Sequence, residues 1–424
     1  MKYIVLSVAV VMYGFVIAFP HKKAWFTLAA ALVVGVMGVV SPATIFGELI
    51  NWNVLLIYVG SLVIADLFIY SRVPSHLADR IVSRAPNLGW GVVFILIMTG
   101  LLSTLVENVA TVLVMAPIAL ALSDKMKVDA RYFMMGLAVM SNLQGTATLV
   151  GDPPSMIFAG FAGFSFNDFF FKDGKLSIFF AVQVGMIVGA AFFYFFYRKM
   201  EKSGVDLPDE RVKTWFPTIL LVALIVGLAT ISFLFEGFSI LSGGYVFALG
   251  IVGLVWYRLV MKEPHSAAWR LVKGLDWETI MFLVGIFVVV GAVAETGLLE
   301  DLSAFLSGFI GANVALGFIV IVAVSVLLSG FIDNVPYIIV MLPVAARLAS
   351  GMGLKPELYL FGLLIGSCLG GNLTPFGASA NIVAVGMLRK RGTVIKFGDW
   401  LRVAGPFTVL TTLASSLFIW AVWR

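Results

Sequence analysis

Three carboxylates lie inside long apolar stretches of this sequence: Glu107, Asp152 and Asp333. A carboxylate in hydrocarbon is expensive and by default marks an ion or proton pathway. Two of the three are followed at once by an asparagine, giving Glu107-Asn108 and Asp333-Asn334. No lysine or arginine lies within a helical turn of any of them, so each is expected to be free to carry a proton and to serve in proton or ion coupling. Asp66 and Glu295 sit nearer the ends of apolar runs. The competing reading is a carboxylate that hydrogen-bonds hairpin backbone and has no part in transport.

Polar side chains cluster in the same regions. One stretch reads Ser141-Asn142-Leu143-Gln144-Gly145-Thr146-Ala147-Thr148-Leu149-Val150-Gly151-Asp152-Pro153-Pro154, and another runs from Gly370 to Asn381 through Thr374-Pro375-Phe376-Gly377. Proline removes a backbone donor and glycine weakens a helix, so both stretches are expected to unwind. Unwound backbone persists in a membrane only where it lines a cavity or meets other protein. The amides and hydroxyls of Asn108, Thr111, Asn142, Thr146, Thr148, Asn334, Asn372, Thr374, Ser379 and Asn381 offer donors and acceptors there. With Gly145, Gly151, Gly371 and Gly377 they form the candidate solute site. The alternative for each Ser or Thr is a helix cap or a bridge between spans.

The elements that must position these groups follow from composition. Of 424 residues, 61% are apolar and 12% charged, against roughly 45–50% and about 25% in soluble domains. A soluble globular protein is excluded. Runs such as Ile4 to Phe19, Val54 to Tyr70, Trp215 to Phe235 and Ile280 to Ala294 approach the ~20 residues needed to cross ~30 Å of hydrocarbon as a helix. They are apolar on every face, which excludes the alternating pattern of a membrane β-barrel. The first run, followed by Pro20, His21 and Lys22, reads as a retained span and not as a cleaved signal.

The only cysteine, Cys368, reads as a small buried residue, and the three histidines, at 21, 76 and 265, are scattered. Neither a disulfide nor a cysteine or histidine metal cluster is expected, and no cofactor. There is no Walker motif, so any ATP hydrolysis would belong to a separate ATPase subunit. No nucleophile and base accompany the polar stretches, so an enzyme is not expected. The net charge of +5 concerns membrane topology and not nucleic acid.

If the first run passes from outside to inside, 22 of the 28 basic residues fall on one side: Lys22, Lys23, Arg72, Arg80, Arg84, Lys125, Lys127, Arg131, Arg198, Lys199, Lys202, Arg211, Lys213, Arg258, Lys262, Arg270, Lys273, Arg389, Lys390, Arg391, Lys396 and Arg402. The positive-inside rule makes that side cytoplasmic. The assignment requires two segments, about 91–122 and about 315–349, to enter and leave on the same side as re-entrant hairpins with Glu107-Asn108 and Asp333-Asn334 at their polar centres. The alternative is a pair of ordinary spans at each. The expectation is an all-α polytopic membrane protein of about ten transmembrane helices plus two re-entrant helical hairpins, in the cell (inner or plasma) membrane, with both termini outside.

A shift of 226 residues superposes Ser103 on Ser329, Glu107 on Asp333, Asn108 on Asn334, Pro117 on Pro343, Ser141 on Ser367, Gly145 on Gly371, Thr148 on Thr374 and Gly151 on Gly377. Seventeen of the 58 positions from Ser103 to Gly160 are identical, and a shift of 225 pairs Trp52 with Trp277 and Gly60 with Gly285. With opposite entry sides this is an inverted-topology repeat, the architecture of secondary transporters with a midplane site. The two repeats are 1–212 (hairpin about 91–122, broken helix about 131–163) and 213–424 (hairpin about 315–349, broken helix about 357–388).

On these residues the chain resembles the ion transporter superfamily, in the branch of the arsenite/antimonite efflux permeases (ArsB), the NhaD sodium/proton antiporters and the melanosomal P protein. The segment Asn142 to Pro154 carries the strongest match, and Asn108 and Asn334, each nine residues before a proline, match the hairpin pattern. The resemblance implies two inverted repeats, a mobile domain of hairpins and broken helices on a scaffold that often forms a homodimer, and elevator-type alternating access. It implies a small inorganic solute, arsenite or antimonite, exchanged for protons across the lipid bilayer. The alternatives are sodium/proton antiport at the same carboxylates, and an anion or dicarboxylate carrier. The related dicarboxylate carriers hold their substrate with Ser-Asn-Thr at both tips; Glu107-Asn108-Val109 and Asp333-Asn334-Val335 depart from that. A channel, the other class, would show a continuous pore in place of opposed hairpins.

Overall fold

The computed structural model describes residues 1–126, 129–198, 211–235 and 240–424. Lys127, Lys199 and Lys202, counted above among the basic residues of one side, lie outside the described residues. In the first half of the chain, α1 (Lys2–Ala18) and α2 (Lys23–Val36) lead through a short α3 (Pro42–Thr44) to α4 (Trp52–Tyr70) and the amphipathic α5 (Val73–Ser83). Next come a helical hairpin of α6 (Leu88–Ser103) and α7 (Asn108–Met126), the pair α8 (Ala130–Gly145) and α9 (Pro153–Ala162), and α10 (Ile178–Tyr197). A two-stranded antiparallel turn of β1 (Phe171–Lys172) and β2 (Lys175–Leu176) precedes α10.

The second half has the same order. It runs α11 (Phe216–Leu234), α12 (Ile240–Leu259), a short α13 (His265–Gly274), α14 (Trp277–Glu295) and the amphipathic α15 (Leu298–Ile310). A second hairpin of α16 (Val314–Ser329) and α17 (Asn334–Gly351), the interrupted pair α18 (Glu357–Gly370) and α19 (Ser379–Lys390), and α20 (Phe397–Trp423) complete it.

The fold is that of an all-helical polytopic membrane protein. Among the described residues, α4, α10, α11, α12, α14, α17 and α20 are each long and apolar enough to cross a membrane, and shorter apolar helices accompany them. Large apolar side chains such as Trp25, Val36 and Phe233 point outward, while serines, threonines and asparagines are buried inside. That inversion suits a lipid surround, where apolar surface gains nothing by burial and polar groups need protein partners.

Local sequence sets the starts of these elements. Both hairpins begin on an asparagine cap, Asn87 Oδ1 accepting from Trp90 N at 2.9 Å and Asn313 Oδ1 from Leu316 N at 3.0 Å. Each cap meets one of the amides that the first helical turn leaves without an intrahelical partner. The break between α8 and α9 falls at Gly145 to Gly151, and Pro153 and Pro154 then open α9, where a missing N–H costs nothing.

The two halves interlock. α4 packs on α12 and α14 packs on α2, while α10 packs on α20. Backbone meets backbone closely at Gly60 and Gly285: a Cβ at Gly60 would lie 2.5 Å from the Val246 carbonyl oxygen, and one at Gly285 2.6 Å from the Thr27 carbonyl carbon. Backbone cannot yield to a side chain as a flexible neighbour can, so these contacts need glycine. Gly60→Ala and Gly285→Ala are each expected to destabilise the protein by about 1–3 kcal/mol through overpacking, seen as a lower melting temperature in detergent. Unchanged melting in both would mean that these helices part without cost.

Candidate functional site

Four acidic residues cap four helix N-termini that meet at one cavity. Glu107 Oε2 accepts from the amides of Val109 (2.8 Å) and Ala110 (3.1 Å) at the start of α7. Asp333 Oδ1 does the same for Val335 N (3.1 Å) at the start of α17. Asp152 Oδ1 takes Ser155 N (3.0 Å) at α9, and Asp276 Oδ1 takes Thr279 N (3.0 Å) at α14. Helix N-termini carry partial positive charge, so each carboxylate is both a cap and a charge-complementary ligand.

The cavity holds about 50 Å³ and is lined by Lys23, Tyr58, Glu107, Asn108, Asn142, Asp152, Pro153, Pro154, Asp276, Thr279, Asp333, Asn334, Val335, Ala378, Ser379 and Ala380. That is space for roughly three or four waters. Asp152 and Asn142 are buried on its floor, whereas Asp276 and Ser379 are exposed, so the cavity opens on their side. Three walls come from different parts of the fold: the two hairpin tips, the two interrupted pairs, and a face formed by α2, α4 and α14.

Three of the four carboxylates meet a further side chain. Asp333 Oδ2 accepts from Lys23 Nζ at 2.9 Å, and Asp276 Oδ2 from the Tyr58 hydroxyl at 3.2 Å. Asp152 meets the side chains of Asn108 and Cys368. The expectation that all three intramembrane acids lack a basic partner is therefore corrected for Asp333. Its lysine lies 310 residues away in the chain, where a search within one helical turn does not reach. Lys23, counted in the sequence among the loop charges of one side, opens α2 and enters the cavity.

The 226-residue register reappears in the hydrogen bonds. Ser103 Oγ donates to Asn108 Oδ1 (2.6 Å), and Ser329 Oγ donates to Asn334 Oδ1. Thr148 Oγ1 donates to the Thr104 carbonyl, and Thr374 Oγ1 to the Gly330 carbonyl at 2.6 Å. Each interrupted stretch thus meets the open carbonyl of its own hairpin tip. Each tip asparagine also lies flat against a glycine: a Cβ at Gly145 would overlap the Asn108 carboxamide, and one at Gly371 would come within 2.9 Å of Asn334 Oδ1.

Asn142 joins the two halves. Its carbonyl accepts from Asn108 Nδ2 at 3.4 Å, and its amide donates to Asn372 Oδ1 at 2.8 Å and Asn381 Oδ1 at 2.9 Å. Asn381 Nδ2 in turn reaches the carbonyls of Gly371 (2.9 Å) and Thr374 (2.8 Å), and Trp400 Nε1 donates to the Asn372 carbonyl at 2.8 Å. All three asparagines, 142, 372 and 381, are buried.

Of the residues singled out in the sequence, Glu107, Asn108, Asn142, Asp152, Asp333, Asn334 and Ser379 line the cavity. Asn372 and Asn381 stand behind it in the amide network. The hydroxyls of Thr111 and Thr146 donate to the backbone at Val106 and Asn142, as those of Thr148 and Thr374 do at the tips. Gly145, Gly151, Gly371 and Gly377 make room for backbone and for the tip asparagines. Lys23, Tyr58, Asp276 and Thr279 had no signal in the sequence, because each arrives from an element far along the chain.

The sequence profile described as CitMHS, citrate transporter, matches residues 13–366 and 317–424. An uncharacterized transporter of Mycobacterium tuberculosis is 28% identical over 447 residues, an alignment covering 99% of this chain and 98% of the other. The human P protein is 23% identical over 472 residues, covering 93% of this chain and 56% of that protein. Among solved structures, the YdaH transporter of Alcanivorax borkumensis has the same fold, with a TM-score of 0.62 at 15% identity over 93% of this chain and 95% of that one.

Asn142→Leu removes one partner from the half-buried amide of Asn108 and from the buried amides of Asn372 and Asn381 and is expected to cost about 1–3 kcal/mol per group left without a bond. The check is thermal melting in detergent, with Asn381→Leu as a second probe of the same network. Wild-type melting in both variants would mean that water replaces the bonds and that the network does not hold the halves together.

Proposed function

The chain belongs to the citrate transporter (CitMHS) family, and from that premise we propose that it is a secondary active transporter exchanging protons for a small cation, sodium first, at the cavity between its halves. The observation that supports this reading is the charge of the wall: among the described residues that line it, Glu107, Asp152, Asp276 and Asp333 face a single basic residue, Lys23, a formal balance of four negative charges to one positive. Two unit charges 4 Å apart interact by about 4 kcal/mol at an effective dielectric of 20. A free di- or tricarboxylate would be repelled, while a monovalent cation would be drawn in.

Exchange follows from competition for the same oxygens. A cation bound at the carboxylates displaces their protons toward the side on which it enters, and reprotonation from the other side releases it. The tips and interrupted pairs would move as one body against α2, α4 and α14, the elevator arrangement, which carries the site between the two faces. The count of basic residues supports a cytoplasmic-membrane location with both termini outside.

A second reading, efflux of neutral arsenite or antimonite hydroxide, is supported by Asn108, Asn142 and Asn334. These amides offer donors and acceptors at the cavity without charge.

Inside-out vesicles energised by a proton gradient separate the two. Sodium-induced proton release is expected in the wild type, and Glu107→Gln and Asp152→Asn are each expected to lower it at least about tenfold, the equivalent of about 1.4 kcal/mol. Full release in both variants would remove these carboxylates from the path. Metalloid uptake abolished by an uncoupler, without sodium-induced release, would move the protein to the second reading.

A further inference from the structure

The two halves match in backbone and differ in charge. Under the 226-residue register Glu107 corresponds to Asp333, while Asp152 corresponds to Ala378. The tip and interrupted pair of the first half therefore bring two carboxylates to the cavity and those of the second bring one, the fourth, Asp276, coming from α14 of the outer face beside the Tyr58 hydroxyl. Both tip acids cap their own helix with one oxygen. They differ in what meets the rest of the carboxylate: Asp333 has the Lys23 ammonium at 2.9 Å, whereas among the described residues no lysine or arginine other than Lys23 lines the cavity.

Lys23 is held in place by the scaffold. Its ammonium lies 5.1 Å from the centroid of the Phe282 ring on α14, and its side chain is 12% exposed. Four residues further along α2, Thr27 meets Gly285 of α14. In the other half the matching contact is Val246 against Gly60, and four residues before Val246 stands Ser242. The scaffold thus presents an ammonium to the second hairpin tip, whereas at the position matching Lys23 it carries an uncharged serine on α12, which contributes no residue to the cavity lining.

We infer that Lys23 is a tethered cation that fills the second of two quasi-equivalent ion half-sites, leaving one exchangeable cation site at Glu107 and Asp152. This rests on the cation exchange proposed above and adds its stoichiometry. An ammonium supplies one positive charge and up to three donors, and a bound monovalent ion supplies the same charge to the same oxygen. The second tip, its acid already paired with Lys23, has no need of a carboxylate at position 378. Removing the ammonium leaves Asp333 as an uncompensated carboxylate in the cavity, which a free cation can then occupy.

The test is the number of sodium ions bound per chain, measured by equilibrium dialysis of radioactive sodium against purified protein in lipid nanodiscs at alkaline pH. One ion is expected for the wild type, two for Lys23→Gln, and one for the double variant Lys23→Gln/Asp333→Asn, which leaves no unpaired charge. Two ions in the wild type, or one in a folded Lys23→Gln protein, overturns the inference while leaving cation exchange standing. No bound sodium in the wild type, together with no sodium-induced proton release, overturns the exchange reading and this inference with it. If Lys23→Gln does not fold, the double variant decides: one ion retained supports the tethered cation, and none assigns Asp333 to the exchangeable site and refutes it.

Discussion

Unwound backbone inside a membrane must find hydrogen-bond partners from protein, because lipid offers none. In this chain that constraint is met the same way twice. Each hairpin tip opens its helix, each interrupted pair opens another, and the two openings of one half are joined by a threonine, Thr148 to the Thr104 carbonyl and Thr374 to the Gly330 carbonyl. Three of the four helix N-termini so exposed are capped by carboxylates, that of α19 following Ala378 instead, and the caps place acidic oxygens at one small cavity. The same groups that make the breaks tolerable also make the site.

A cavity built from helix caps has its chemistry set by what faces the caps from outside. Here that face is α2, α4 and α14, which contribute Lys23, Tyr58, Asp276 and Thr279. These are asymmetric although the backbone is not, so the two halves offer a solute different charges. Interlocked packing at Gly60 and Gly285 fixes α4 on α12 and α14 on α2, giving the outer face a rigid base against which the tips can be aligned.

The all-helical membrane architecture was legible from the apolar runs, and the repeat from residues with special backbone roles. Asn108 and Asn334, Gly145 and Gly371, and Thr148 and Thr374 stand out because each performs a local task that few residue types can perform. The acids at the tips were legible for the same reason. Lys23 was not: in the sequence it reads as one more basic loop residue, and only tertiary packing turns it toward Asp333 across 310 residues of sequence. Tyr58, Asp276 and Thr279 were hidden similarly. The threonines were legible as polar groups, but whether a hydroxyl faces a solute or a backbone carbonyl depends on distances that no spacing rule contains. Thr111 and Thr146, like the two tip threonines, face carbonyls.

On the proposed cation exchange, ions enter at Glu107 and Asp152, with Lys23 standing in for an ion at Asp333. The most direct measurement is an anomalous difference map from crystals of the wild-type protein soaked in a thallous salt. A single strong peak coordinated by Glu107 and Asp152 is expected, with Lys23 still paired to Asp333. A peak at Asp333 in place of the lysine, or no peak in the cavity while thallium binds elsewhere, would contradict it.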